Sequence, residues 1–309
     1  MTEHAIYTID TGYVRPDYDA AYLLVEQGRG AFIDCGTNHS IPRLLAALDQ
    51  AGLAAEDVDW VIPTHVHLDH AGGAGGLMRR LPNARLLIHP RGAAHMIDPA
   101  KLVAGSIAVY GEKEFARLYG EIVPIPEERV VVAEDGHVAE LAGRPLLCID
   151  TPGHARHHMC IWDERSRSWF SGDTFGLSYR QMDSSRGAFI LPSSSPVQFE
   201  PDALKASIGK LLARQPEKMH LTHYGTVSDP AKLGRDLVEQ IDVMVEVARA
   251  SDGKPERHQD LIVALSDYYL HRARAHRCPL SDEDILDLLH MDIELNAQGL
   301  EVWLDRRQR

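Results

Sequence analysis

Cysteine is scarce in this chain. It has four in 309 residues, Cys35, Cys148, Cys160 and Cys278, with no CxxC pair and no regular spacing. That excludes a disulfide framework and predicts reduced thiols. Long apolar runs are missing too, and none approaches the roughly 18 residues of a membrane span. Positive charge is in deficit: 32 Lys and Arg stand against 45 Asp and Glu, for a formal net charge of −13. That is the wrong sign for a protein that neutralises a nucleic-acid backbone. The opening MTEHAIYTIDTG shows no basic region followed by an apolar stretch, so no secretory signal is read and a cytoplasmic location is expected. There is no internal repeat and no low-complexity segment.

What remains is an ordinary globular composition, 44% hydrophobic and 25% charged. A chain of this length suits one large domain, or one domain with an extension, and buries roughly three quarters of its unfolded surface. AAYLLVEQGRGAFIDCG (20–36) reads as two strands around a Gly-Arg-Gly turn, and IPRLLAALDQAG (41–52) as a helix ending at Gly52. DWVIPTH and ARLLIHP are short strands, GGLMRRL starts a helix, and about 93–120 is a helical insertion. Strand signals return in RVVVAEDG, RPLLCIDTPGH, HMCIWDERSRSWFSGD and EKMHLTHYG, and LPSSSP (191–196) has loop composition. From about residue 230 the pattern is helical throughout, with Ser281 and Asp284 placed for a capping box.

Histidine is abundant, 17 residues, and PTHVHLDHAGG (63–73) concentrates it. His65, His67 and His70 flank Asp69 within six positions, and histidine is the commonest metal ligand. On extended backbone His65 and His67 point the same way, and a turn over 68–70 can bring Asp69 and His70 to the same centre. Three more ligand-type residues follow apolar runs: His154 in DTPGHARHH, Asp173 in FSGDTFG and His223 in LTHYG. Loops over a rigid sheet edge commonly carry function. Four strand ends converging there can supply seven nitrogen and oxygen ligands, enough for two metals sharing a carboxylate.

The order HxHxDH, GH, GD, THYG resembles the metallo-β-lactamase-fold superfamily, in its glyoxalase II and lactonase branch, over roughly residues 5 to 226. The resemblance implies an α/β αββα sandwich with metals at one edge. It implies His65, His67 and His154 on a first metal, Asp69, His70 and His223 on a second, and Asp173 as the bridge. It implies a catalytic domain over 1–228 and leaves 229–309 as a C-terminal helical extension. The implied activity is that of a dinuclear hydrolase, in which a metal-bridging hydroxide, oriented by Asp69, attacks the carbonyl of an ester, thioester or lactone. Two divalent ions are expected; the nitrogen and oxygen set suits zinc and admits iron or manganese. The expected partner is a small-molecule substrate, with no nucleic acid and no membrane. The tail's apolar stripes should bury on the catalytic domain or against a second subunit, which leaves room for a homo-oligomer. Two other readings stand beside this one: a mononuclear iron oxygenase of the persulfide-dioxygenase kind, and a non-catalytic metal-containing regulator that senses a ligand.

Further residues get plainer roles. Gly72, Gly73, Gly75 and Gly76 lack a following Lys-Ser/Thr, so close packing is expected rather than a phosphate cradle. One of His157 and His158 is expected to support the ligands, as is Asp34; Cys35 is a small buried filler, His39, His89 and His271 are structural, and RRQR is a solvated tail. Tyr110, Phe115, Tyr119, Phe175, Tyr179, Met182 and Phe189 pack the core or roof a partly apolar pocket. Phe175, Tyr179 and Tyr224 are candidate substrate contacts, with a tyrosine hydroxyl donating to a developing oxyanion.

Overall fold

In the computed structural model, which describes residues 4–194 and 198–307 (the side chains of 109 and 110 excepted), the chain opens with antiparallel strands. These are β1 (His4–Asp10) and β2 (Ala20–Glu26). All of β2 is buried, as a run of apolar residues covered on both faces must be. Leu23 and Val25 enter one apolar cluster, Tyr22 and Leu24 another, because successive strand residues point to opposite faces. The first sheet continues through β3 (Arg29–Ile33), β4 (Val58–Ile62), β5 (Arg85–Ile88) and β6 (Val130–Val132), these four joined in parallel.

The second sheet contains β7 (Val138–Leu141), β8 (Arg144–Asp150), β9 (Met159–Asp163), β10 (Ser168–Gly172), β11 (Lys218–Leu221) and β12 (Gly225–Ser228), in sequence order across the sheet. There β10 and β11 pair in parallel, and the other described neighbours pair antiparallel. Between the sheets lies a core that includes Tyr22, Ile33, Ile62, Leu146, Ile161 and Phe170.

Helices cover both outer faces. Leu44 and Leu48 of α1 (Ile41–Ala51) pack on the first sheet, and α1 stops where Gly52 turns left-handed at φ 72°. A single turn, α2 (Leu68–Ala71), and the five-residue α3 (Ala74–Met78) follow β4. The expected insertion is three helices, α4 (Pro90–Ile97), α5 (Ala100–Tyr110) and α6 (Glu112–Tyr119). Over the second sheet lie α7 (Pro201–Ala213), then α8 (Pro230–Ser251), α9 (Arg257–His276) and α10 (Asp282–Arg307). This is the expected α/β αββα sandwich with a C-terminal helical extension.

The extension shares one core with the body of the protein. Leu237, Ile241, Leu289 and Ile293 join Phe175, Leu177, Phe189 and Trp169 in one apolar cluster. Before α10 the Ser281 hydroxyl accepts the Asp284 N–H at 3.1 Å. Among the described residues no helix is long and apolar enough to cross a membrane. Strands β1, β7 and β12 and helix α7 carry no clear signal in the sequence; short edge strands owe their form to the neighbour they pair with. Ser195 and Pro196 of the loop-like LPSSSP stretch, the end of RRQR and the Tyr110 side chain lie outside the described residues.

Candidate metal centre

Strand ends from both sheets place the candidate ligands. The first sheet supplies one segment: β4 ends at Ile62, and His65 and His67 follow on non-helical backbone. Asp69 and His70 then sit on the single turn of α2. The second sheet supplies His154 after β8, Asp173 directly after β10 and His223 after β11. His65 Nε2 lies 2.7 Å from His67 Nδ1, and His154 Nε2 lies 3.2 Å from that same nitrogen. Three imidazole nitrogens thus converge on one point. Asp69, His70 and His223 form a second group, and His65, His70 and Asp173 a third; within each, the donor atoms all fall within 4.8 Å of one another.

Asp173 spans these groups. Its Oδ2 is 3.4 Å from His154 Nε2, and its Oδ1 is 3.3 Å from His70 Nε2 and 3.7 Å from His223 Nε2. Asp69 Oδ2 is 3.5 Å from His223 Nε2. Burial, reinforced by neighbouring rings, holds His65 well below the ordinary histidine value and His67 down at about 3. Burial lowers His154 too. His223 goes the other way: burial would lower it, but Asp173 and Asp69 outweigh that and raise it to about 9. His70 is likewise raised, because Asp173, Asp69 and Asp34 outweigh its burial. Burial would raise Asp69 and Asp173, yet the surrounding histidines hold both below the carboxylate range.

A layer of partners fixes the rings. His70 Nδ1–H donates to Asp34 Oδ2 at 3.0 Å, His223 Nδ1–H to the Tyr18 carbonyl at 3.0 Å, and His154 Nδ1–H to the Ser193 carbonyl at 3.3 Å. Each bond leaves Nε2 facing the centre, as outer partners of ligating histidines do. Asp34 also accepts from the Thr64 backbone and from the Thr64 and Thr222 hydroxyls. His158 Nε2 accepts the Asp173 N–H at 3.2 Å, and its Nδ1 meets the Thr151 and Thr174 hydroxyls. His157 is buried and stacks 6.0 Å from His65.

The remaining candidates lie elsewhere. Phe175 and Tyr179 are fully buried in the cluster shared with the C-terminal helices, so neither faces an open pocket. The Tyr179 hydroxyl donates to Asp292 Oδ1 at 3.0 Å. Tyr224 is half-buried, and burial and Asp17 raise its phenol. Phe115, Tyr119, Met182 and Phe189 are buried in that same cluster. The glycine run is packed against backbone: a Cβ on Gly75 would stand 1.9 Å from the Val123 carbonyl oxygen, and one on Gly73 2.5 Å from that of Thr37. Cys35 is buried and all four cysteines are free. His89 bonds Asp150, and His39 lies under Gly120. Sequence reasoning passed over Thr64 and Thr222, the chain neighbours of His65 and His223, and over Arg15, Tyr18 and Asp292, whose proximity to the centre comes from chain segments far apart in sequence.

The donor set fits divalent ions. His70 Nε2 and Asp173 Oδ1 are buried, face each other and make no aligned hydrogen bond among the described residues. Orphaned buried groups of this kind call for an explanation, and a shared cation supplies one. The family model of the metallo-beta-lactamase superfamily matches residues 14–223. The metallo-beta-lactamase fold-containing protein ST1585 of Sulfurisphaera tokodaii is 24% identical over 74% of this chain and 81% of its own length; its solved structure superposes with a TM-score of 0.63 over 76% of this chain and 85% of that one. The atrochrysone carboxyl ACP thioesterase of Aspergillus fumigatus is 31% identical over 40% of this chain, a match spanning only 30% of that protein. A metallo-beta-lactamase family protein of Thermus thermophilus, TTHA1429, 19% identical, superposes with a TM-score of 0.68 over 98% of this chain and 94% of its own, C-terminal helices included. With its family model covering more than half its length and its candidate ligands gathered at one sheet edge, the chain belongs to the metallo-beta-lactamase superfamily, among relatives that are hydrolases.

Proposed function

We propose that the protein is a dinuclear metal-dependent hydrolase of a small carbonyl substrate, an ester, thioester or lactone. The observation that carries this reading is the Asp173 carboxylate, with one oxygen beside His154 and the other beside His70 and His223. His65, His67 and His154 would hold one ion, Asp69, His70 and His223 the other, and Asp173 both. A mononuclear arrangement leaves Asp69, His70 and His223 gathered without a role. The nitrogen and oxygen set suits zinc, with iron or manganese as alternatives.

When bound, such ions polarise a carbonyl and bring the pKa of water towards neutrality. The chain's own groups do the rest. The Asp69 side chain is 23% exposed against 6% for Asp173, so Asp69 is the carboxylate that an entering water and substrate meet. Kept ionised by His70 and His223, it accepts a hydrogen bond from the attacking water and orients it. The buried His70, His154 and His223 rings, fixed through Nδ1, hold their Nε2 atoms in place without reorganisation. The thioesterase among the relatives supports a thioester as the first substrate to try.

The test is elemental analysis of protein purified without chelator, followed by ester, thioester and lactone assays with added zinc or manganese. Two ions per chain and turnover of one class are expected. A single iron in fully loaded protein, with no turnover, overturns the proposal.

A further inference from the structure

Behind His223 stands a layer of side chains that ends on the C-terminal extension. The Tyr18 carbonyl accepts the His223 Nδ1–H, and the Tyr18 ring meets the His223 ring edge-on at 5.4 Å. Tyr18 stacks on Tyr179 at 5.4 Å and 16°. The Arg15 guanidinium lies 4.7 Å from the Tyr18 ring centre and 4.5 Å from that of Tyr179, within cation–π range of both. Three residues of α10 close the layer. Asp292 accepts from the Tyr179 hydroxyl at 3.0 Å, Met291 Sδ accepts from the Tyr18 hydroxyl at 3.3 Å, and the Leu288 carbonyl accepts from Arg15 at 3.4 Å.

We infer that α10 braces the second metal site: Asp292, through Tyr179 and Tyr18, is a positioning residue that holds His223 Nε2 on its ion. The inference rests on the two-metal reading proposed above. Each link in the relay is a contact of ordinary length, and among the described residues it meets the candidate ligands at His223, so the first metal group is spared. The layer also carries a cost that packing alone does not explain. Asp292 Oδ2 and Arg15 Nη1 are buried and make no hydrogen bond among the described residues. An apolar pair in place of Tyr179 and Asp292 avoids leaving buried polar groups unmet. Retaining the polar pair is explicable if its geometry, rather than its stability, is what matters.

Stepwise zinc titration of the full chain after metal removal, with melting temperature recorded alongside, tests this. Wild type should bind two ions. Tyr179→Phe and Asp292→Leu each remove the relay bond, and each should weaken the second ion by about 10–100-fold while the first ion's affinity stays unchanged, the scale on which outer partners act. Asp292→Asn keeps an oxygen for the Tyr179 hydroxyl and should restore the second ion's affinity. The double variant Tyr179→Phe/Asp292→Leu should melt no lower than Asp292→Leu and still bind the second ion weakly. Equal second-ion affinity in wild type and variants overturns the inference and leaves the two-metal reading standing. Loss of both ions in proportion to a fall in melting temperature overturns it too, showing Asp292 to be general packing. A wild-type plateau at one ion overturns both.

Discussion

Asp34 Oδ2 lies 3.0 Å from His70 Nδ1 and 2.7 Å from the Thr222 hydroxyl, so one buried carboxylate ties the ligand turn of the first sheet to the strand end that carries His223. Asp34 itself sits at φ 53°, a conformation that Asn tolerates, so Asp34→Asn tests the charge without disturbing the backbone. Binding at the Asp69–His70–His223 group should weaken by about 10–100-fold. The His65–His67–His154 group should keep its affinity. Competitive metal titration of both positions reads the difference, and equal losses at both refute this role for Asp34.

Asp173→Asn replaces a charged oxygen with a neutral amide of the same shape. Because the Asp173 carboxylate lies beside both groups, its loss should disturb both. Turnover per folded molecule is expected to fall by at least about a hundredfold, with metal content reduced, because the paired ions that acidify water are no longer held together. Normal turnover and normal metal content in folded Asp173→Asn would remove it from the centre.

The two groups should respond differently to pH. His223 is raised to about 9 in the metal-free fold, against about 6.5 for a free histidine. A raised value stabilises the metal-free fold fully below pH 6.5, and that stability is lost as pH rises through 9. Below 9 an ion must displace the His223 proton, so affinity at this group should climb about tenfold per pH unit between 7 and 9 for each proton displaced. His65, His67 and His154 are lowered and already neutral in that window, so their group should show no such slope. Two parallel pH profiles would contradict this asymmetry.

The extension cannot be dispensed with on packing grounds. Ending the chain after Ser228 strips Leu237, Ile241, Leu289 and Ile293 from a cluster that also holds Trp169 and Phe189. Each such side chain contributes about 1.5–3 kcal/mol by burial, so the loss of these four is comparable with the whole net stability of a domain. The shortened chain should be insoluble or unfolded. Solubility and circular dichroism decide, and a folded, soluble product would count against the argument.

The candidate centre was legible because each of its seven residues follows an apolar run or lies within one HxHxDH segment, where type and spacing are local properties. Asp34 was legible in part, as an acidic residue ending a strand. Tyr179 was not: its sequence context suggests a substrate contact, whereas the fold buries it against Asp292, 113 positions away. Arg15 meets Leu288 across 273 positions, and no local pattern encodes such a meeting. Most strand and helix segments were readable from their apolar patterns, and the sandwich came from the family resemblance of the motifs, while β1, β7 and β12 were not readable, since edge strands take their form from the neighbour they pair with.

The candidate ligands are divided between the sheets, four on the segment after β4 and three on loops after β8, β10 and β11. On the two-metal reading proposed above, neither sheet alone carries a complete set for both ions. Metallation would then act as a clasp: it could close only on a chain whose two halves have already found their mutual register, and once closed it would oppose their separation. Metal uptake by the nascent protein would thus become a checkpoint of correct assembly, since a half-folded or misregistered chain would have nothing complete to offer an ion.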